Sequence, residues 1–377
     1  MPLPLGLRLG VFYFAYFAYV AATVAYFPLY LSSRALDAAE IALVLALPQL
    51  ARVFAPAFWG WLADRTGAQR AIVAFSCAAM ALGFAALPYA PGLPGIALLV
   101  GVVSVLSAGA LPIVEAVALA SLAGRPGAYG PIRLWGSLGF IAVVLAGGAW
   151  LDAYPVRTLP WWVAAFGLAS LAACAGLPER QVHAKFPETA VLRFSARIVH
   201  LLAAGFCMAA AHGVLYAFLT LHLQRLGYSS STIGALWSLG VLAEVGIFLY
   251  LPALFRRYSL AALLFGSLVL GVARFAAIGW LAGALGVLLV AQLLHAATFG
   301  AFHAASVAAV HRVFPASAHG LGQTLFSSLA YGAGGAAGAL IGGWGWEHGG
   351  PGVAFSLAAL AALIGAYFAF RLWRMGL

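Results

Sequence analysis

The sequence predicts an all-α membrane protein, with about twelve transmembrane helices arranged in two six-helix halves. Three observations carry this: composition, the length of the apolar runs, and a lone hydrophilic connection near the middle. Of 377 residues, 65% are hydrophobic and only 7% are charged, against about 25% charged in a soluble domain. Mean hydropathy is +1.03. Runs such as 5–31, 38–61 and 71–90 are each long enough for a hydrocarbon core that takes roughly 20 residues to cross. The net charge of +10 would suggest nucleic acid in a soluble chain. Here arginines retained on the cytoplasmic side explain it better, so the bilayer is the expected partner and nucleic acid is not.

Breaks at Pro, Gly and charged residues place the spans at 7–31, 38–62, 71–90, 94–123, 131–151, 157–177, 198–222, 230–252, 259–281, 284–312, 318–343 and 351–373. The hydrophilic connection 178–197 holds Glu179, Arg180, Lys185, Glu188, Arg193 and Arg197. It divides the chain into an N-terminal half, 1–177, a linker, 178–197, and a C-terminal half, 198–377. With the N-terminus inside, most arginines, including Arg8, Arg125, Arg256, Arg257 and Arg374, fall at the cytoplasmic face. Arg34, Arg157 and Arg225 fall outside. This bias puts both termini in the cytoplasm. After Arg8 the first span is too long and too aromatic for a cleaved signal peptide. Cys77, Cys174 and Cys207 lie far apart within apolar runs, so neither a disulfide framework nor a metal-ligand spacing is present. No cofactor or metal is expected.

Taken in order, span one carries Phe12, Tyr16, Tyr19, Thr23, Tyr26 and Tyr30 at helical spacing. Such stripes usually pack, and Tyr30 suits an interfacial belt. Tyrosines in mid-membrane need hydrogen-bond partners, so this face, Tyr16 and Tyr19 above all, is expected to line a wet cavity. Arg52 in span two reads as a cavity or gating residue. The loop after it, Gly60-Trp-Leu-Ala-Asp64-Arg65-Thr-Gly67-Ala-Gln-Arg70, is a charged island between two spans. Its glycines permit a tight turn and close backbone approach, and Asp64 suits a helix N-terminus.

An ionisable side chain within a span costs a few kcal/mol and calls for a partner or a task. Glu115 in span four and Arg133 near the start of span five could pair, either as part of a binding site or simply to fix helix register. His212, Tyr216 and Thr220 form a stripe on span seven that matches the one on span one. On span eight, Trp237, Gly240 and Glu244 share a face. Arg274 in span nine has no charged neighbour in sequence, which makes Glu244 its most economical partner. Span ten carries His295 and His303. A lone membrane histidine is more often a packing residue than a ligand; two on one helix, facing a glutamate and an arginine, weigh toward a role. The glycines of the late spans, such as Gly332–Gly343, read as close helix packing without chemistry.

The charged island, with its G-x-L-A-D-R-x-G-x-x-R pattern between two spans, resembles the loop between helices two and three of the major facilitator superfamily. Ala68 and Gln69 stand where that family usually has basic residues. Tyr129–Ser137, Ser238–Phe248, Phe255–Arg257 and Leu294–Phe299 further resemble the bacterial 3-phenylpropionate permease group, which is similar to the lactose permease branch of proton symporters. That resemblance implies a proton-coupled symporter of the bacterial inner membrane, working by alternating access on a small organic substrate such as an aromatic carboxylate. It implies substrate roles for Glu115 and Arg133, and coupling roles for Glu244, Arg274 and His295, with His303 beside them. The branch has a glutamate one turn beyond its histidine, where this chain has Thr298, so Glu244 or a histidine must carry the proton. Tyr16, Tyr19, His212, Tyr216 and Trp237 are the expected cavity wall, and Gly60, Asp64, Arg65, Gly67 and Arg70 the gating loop. A sugar or nucleoside symporter and a drug exporter share the same fold. A membrane-embedded enzyme is disfavoured by the lack of an H-E-x-x-H pair or a G-x-S-x-G elbow. A monomer is expected.

Overall fold

The computed structural model describes residues 4–122, 127, 129–178 and 194–377. Most of the expected linker 178–197, and Arg125, lie outside these residues. The helices are α1 (Leu5–Ser33), α2 (Ala38–Thr66), α3 (Gln69–Ala86), α4 (Gly92–Ser107), α5 (Ala110–Ser121), α6 (Tyr129–Ala153), α7 (Leu159–Cys174), α8 (Ala196–Arg225), α9 (Ser230–Arg257), α10 (Leu260–Leu281), α11 (Leu285–Leu293), α12 (Phe302–Val313), α13 (His319–Phe326) and α14 (Gly335–Arg374). Among the described residues there is no strand. Among the described residues, eleven stretches are long and apolar enough to cross a membrane, which makes the chain a multi-pass membrane protein.

The last of these, Ala316–Arg374, is 59 residues long, far more than one crossing requires. It breaks at Gly350, whose φ of 72° and ψ of −166° leave the helical region just before Pro351. A Cβ built on Gly345 would stand 3.1 Å from Ala354 Cα, so the chain doubles back at this break. The sequence places its last boundary at the same point, between 343 and 351.

The chain forms two compact units. The first comprises Met1–Leu36, Phe54–Lys185 and Ser229–Gly234. Its core is built on α1, which packs along α6 and α7 and buries Leu9, Phe12 and Tyr13. Close approach needs bare backbone: a Cβ on Gly139 would lie 2.3 Å from the Phe14 carbonyl oxygen. The second unit comprises Asp37–Val53, Phe186–Tyr228 and Ala235–Leu377. Here α8 is the buried core helix, packed along α14. A Cβ on Gly338 would fall 1.9 Å from the Ala210 carbonyl oxygen, a distance no substituted residue could accept.

Helix starts follow local chemistry. Asp37 and Glu40 form a reciprocal capping box before α2, Oδ1 accepting from the Glu40 amide at 2.8 Å and Oε2 from the Asp37 amide at 3.0 Å. Ser229 Oγ accepts from the Thr232 amide at the start of α9. Both helix starts also receive a carboxylate from another helix. Glu347 of α14 accepts from the Ala38 amide at 2.8 Å, and Asp152 of α6 accepts from the Ser230 and Ser231 amides at 2.7 and 3.0 Å.

Candidate functional site

Each unit holds a polar cluster among apolar helices. In the second unit the centre is Arg274, only 1% exposed. Its hydrogen bonds go to neutral groups. Nε donates to the Ala291 carbonyl at 2.7 Å, Nη1 to Thr298 Oγ1 at 2.8 Å, and Nη2 to Gln292 Oε1 at 3.4 Å. Nη1 also meets His212 Nε2 at 3.4 Å, and His212 Nδ1 lies 3.0 Å from the Met208 carbonyl. Glu244 stands with its Oε2 3.7 Å from His295 Nε2. Arg274 is thus held by an oxygen-rich cradle, while the carboxylate of Glu244 lies against a histidine. Thr298 is part of that cradle.

The local backbone explains how these side chains meet. Between α11 and α12 the helix opens into a π-helical turn, Ala296–Ala301, a feature often found at functional sites. Across it the rings of His295, Phe299 and His303 form a column, stacked at 5.1 and 6.1 Å with interplanar angles of 9° and 8°. His303 Nδ1 is 2.7 Å from the Tyr331 hydroxyl, which sits in a second π-helical turn, Ser327–Gly334. Tyr216 stacks on Trp237 at 6.1 Å, and Trp237 Nε1 donates to Thr220 Oγ1 at 3.0 Å.

In the first unit Arg133 Nε lies 3.9 Å from Glu115 Oε1, and both side chains are about one-third exposed, 34% and 38%. The guanidinium sits over the Phe17 ring at 4.1 Å and near Tyr13 at 5.7 Å. Tyr16 and Tyr19 are half-buried beside this face, their rings 6.3 Å apart.

The stripe on span one divides. Tyr26 is buried and donates to the Val144 carbonyl, and the buried Tyr30 hydroxyl accepts from Arg34 Nη1 at 2.8 Å. Tyr26 ties α1 to α6, whereas Tyr30 holds Arg34 at the end of its own helix, and Arg34 in turn donates to the Leu87 and Ala90 carbonyls. In the charged island, Gly67 makes the turn with φ 68°. Gly60 lies inside α2 with nothing within 4 Å of its Cβ position, so the close approach expected there is not made. Asp64 and Arg65 close α2, and Arg70 opens α3. Sequence reasoning missed Phe17, Gln292 and the two distant caps, Asp152 and Glu347. The Asp37–Glu40 and Ser229–Thr232 caps went unread as well, and nothing in sequence names the carboxylates that reach these helix starts.

Comparison with known proteins bears on the fold as a whole. A profile described as the MFS_1 like family matches residues 7–357. The chain is 33% identical over 204 residues to a probable 3-phenylpropionic acid transporter of Escherichia coli (strain K12), covering 52% of this chain and 53% of that protein. It is 33% identical over 172 residues to a maltose permease of Geobacillus stearothermophilus, covering 45% and 43%. The matched stretches thus span about half the length of these curated relatives. Among solved structures, the nucleoside transporter NupG superposes with a TM-score of 0.85 over 99% of this chain and 100% of that chain, at 18% identity. At that identity the likeness shows the fold alone. The all-helical fold and the profile match over nearly the whole sequence lead to one conclusion: the chain belongs to the MFS_1 like family, of the major facilitator superfamily.

Proposed function

We propose that the chain is a secondary transporter that moves a small organic substrate across the bacterial inner membrane by alternating access, coupled to protons. In this reading its twelve spans form two six-span halves, 1–177 and 198–377, joined by a cytoplasmic linker. Both termini are cytoplasmic and the working form is a monomer. The observation that carries proton coupling is the Glu244–His295 contact at 3.7 Å, set beside the buried Arg274. A carboxylate and an imidazole in contact can hold or pass a proton, and a fixed cation beside them makes that proton's occupancy sensitive to small movements. His303 is the next group along the stacked column. In the first unit, Glu115 and Arg133 form a loose, partly exposed pair that could exchange its partner for a substrate group.

The substrate we favour is an aromatic carboxylate such as 3-phenylpropionate. The likeness to the probable 3-phenylpropionic acid transporter supports it, as do the guanidinium over Phe17 and the Tyr216–Trp237 stack. A second reading is a sugar or nucleoside symporter, favoured by the maltose permease at equal identity and by the NupG fold. Proteoliposomes with an imposed pH gradient separate the readings. Accumulation of unchanged 3-phenylpropionate, abolished by a protonophore, is the expected result. Uptake of only sugars or nucleosides would overturn the carboxylate, and chemical conversion would overturn transport.

A further inference from the structure

Two carboxylates bind the starts of helices other than their own. Asp152, at the end of α6, holds the Ser230 and Ser231 amides of α9 at 2.7 and 3.0 Å. Glu347 of α14 holds the Ala38 amide of α2 at 2.8 Å. Counted along the apolar stretches, the first link runs from the fifth to the eighth and the second from the eleventh to the second. The two carboxylate-bearing stretches, fifth and eleventh, stand six apart, as do the two capped stretches, second and eighth, so the same device occurs twice.

A helix N-terminus offers unpaired N–H groups and the positive end of the helix dipole, so a carboxylate placed there is held by charge and by hydrogen bonds. Neither helix needs this help to begin. Asp37 and Glu40 already cap α2, and Ser229 already caps α9. What the distant carboxylates add is attachment between helices. The backbones beside each link touch through bare glycine. A Cβ on Gly234 would fall 2.1 Å from the Val144 carbonyl oxygen, one on Gly148 2.4 Å from that of Ser230, and one on Gly343 2.4 Å from Ala42 Cβ. Asp152 and Glu347 are themselves exposed. Each can return to water when its link opens, so release strands no buried charge.

We propose that Asp152 and Glu347 are a matched pair of latches: they hold α6 to α9 and α14 to α2 in this conformation and let go together in the other state of the transport cycle. This rests on the alternating-access reading above, in whose orientation both latches lie at the outer face. One cap of this kind shifts an equilibrium by roughly five-fold, enough to bias the closed state and too little to lock it.

The test uses the full-length protein with Cys77, Cys174 and Cys207 replaced by Ala. A reporter cysteine stands at one link contact at a time, Val144→Cys or Ala42→Cys; the native side chains there are 0% and 1% exposed. A membrane-impermeant maleimide is applied from outside. Asp152→Ala and Glu347→Ala should each speed labelling of both reporters by about five-fold, and the double variant by about thirty-fold. Asp152→Glu and Glu347→Asp should restore slow labelling. Acceleration confined to the reporter beside the altered residue would reduce each carboxylate to a local cap and overturn the latch, as would unchanged labelling. If an alanine variant fails to fold, Asp152→Asn and Glu347→Gln replace it, because they remove the charge and keep the shape. Labelling needs no substrate, so a wrong substrate or a failed transport assay leaves this outcome readable.

Discussion

Arg274 and Glu244 show how a charged residue lives among apolar helices by two different means. Arg274 spends its donors on Ala291, Thr298, Gln292 and His212, all uncharged oxygens apart from one ring nitrogen. Arg274→Met would leave these buried acceptors unpaired at about 1–3 kcal/mol each. We expect a drop of several degrees or more in the melting temperature of the purified protein, and a melt equal to wild type would contradict the cradle. Glu244 instead lies against His295, where a change of protonation alters charge without breaking a cradle. Glu244→Gln copies the protonated form. It should keep substrate binding and exchange but lose accumulation driven by a pH gradient, and continued uphill uptake would move the proton to His295 or His303. In the first unit, removal of either Glu115 or Arg133 strands its partner and is expected to abolish substrate binding. Phe17→Leu removes only the ring beneath the guanidinium, worth about 1 kcal/mol, so the dissociation constant measured by titration calorimetry should rise about five-fold.

At the scale of helices, glycine decides which neighbours can approach. Gly338 and Gly139 face carbonyl oxygens at 1.9 and 2.3 Å from where a Cβ would stand, whereas Gly60 and Gly246 face open space. Gly338→Ala and Gly139→Ala must push helices apart, at a cost of about 1–3 kcal/mol or more. Gly60→Ala and Gly246→Ala lie inside helices and should be neutral or slightly stabilising. Thermal melts of the four variants check this order directly. The sequence shows only that glycine is abundant. Which glycines are indispensable depends on the partner helix, and a partner is not written beside the residue it meets. The same holds for Asp152 and Glu347. The carboxylates lie 78 and 309 residues away from the amides they hold.

For the whole molecule, composition and run length were enough to read the class and nearly every helix. The expected spans agree with the helices to within a few residues because a bilayer imposes one length on each crossing. The last boundary was legible too, since Gly350 and Pro351 are punctuation that no neighbour can hide. The sites were legible as residue types and less so as partnerships. Glu115 with Arg133, and His295 with Glu244, do meet. Arg274 was expected beside Glu244; the hydrogen bonds that hold it include Gln292 and Thr298, which are ordinary in sequence. The proposed orientation has its own check. Protease outside intact cells should leave 178–197 uncut, and the same protease on inverted vesicles should cleave there; the reverse pattern would turn the molecule over in the membrane.

The π-helical turn at Ala296–Ala301 has a mechanical consequence. Such a turn puts one extra residue into the winding, so the helix beyond it runs out of phase with the helix before it. Were the turn to relax to ordinary α winding, everything past it would rotate by about 100° and slide by about 1.5 Å. His295 lies before the turn and would stay beside Glu244, while His303 lies after it and would leave both the ring column and the Tyr331 hydroxyl. Such a stretch would act as a detent in a shaft, with two settings one residue apart. Deleting Gly300 would remove the extra residue and leave ordinary α winding with His295 and His303 in their present phase, so the variant would lack the second setting.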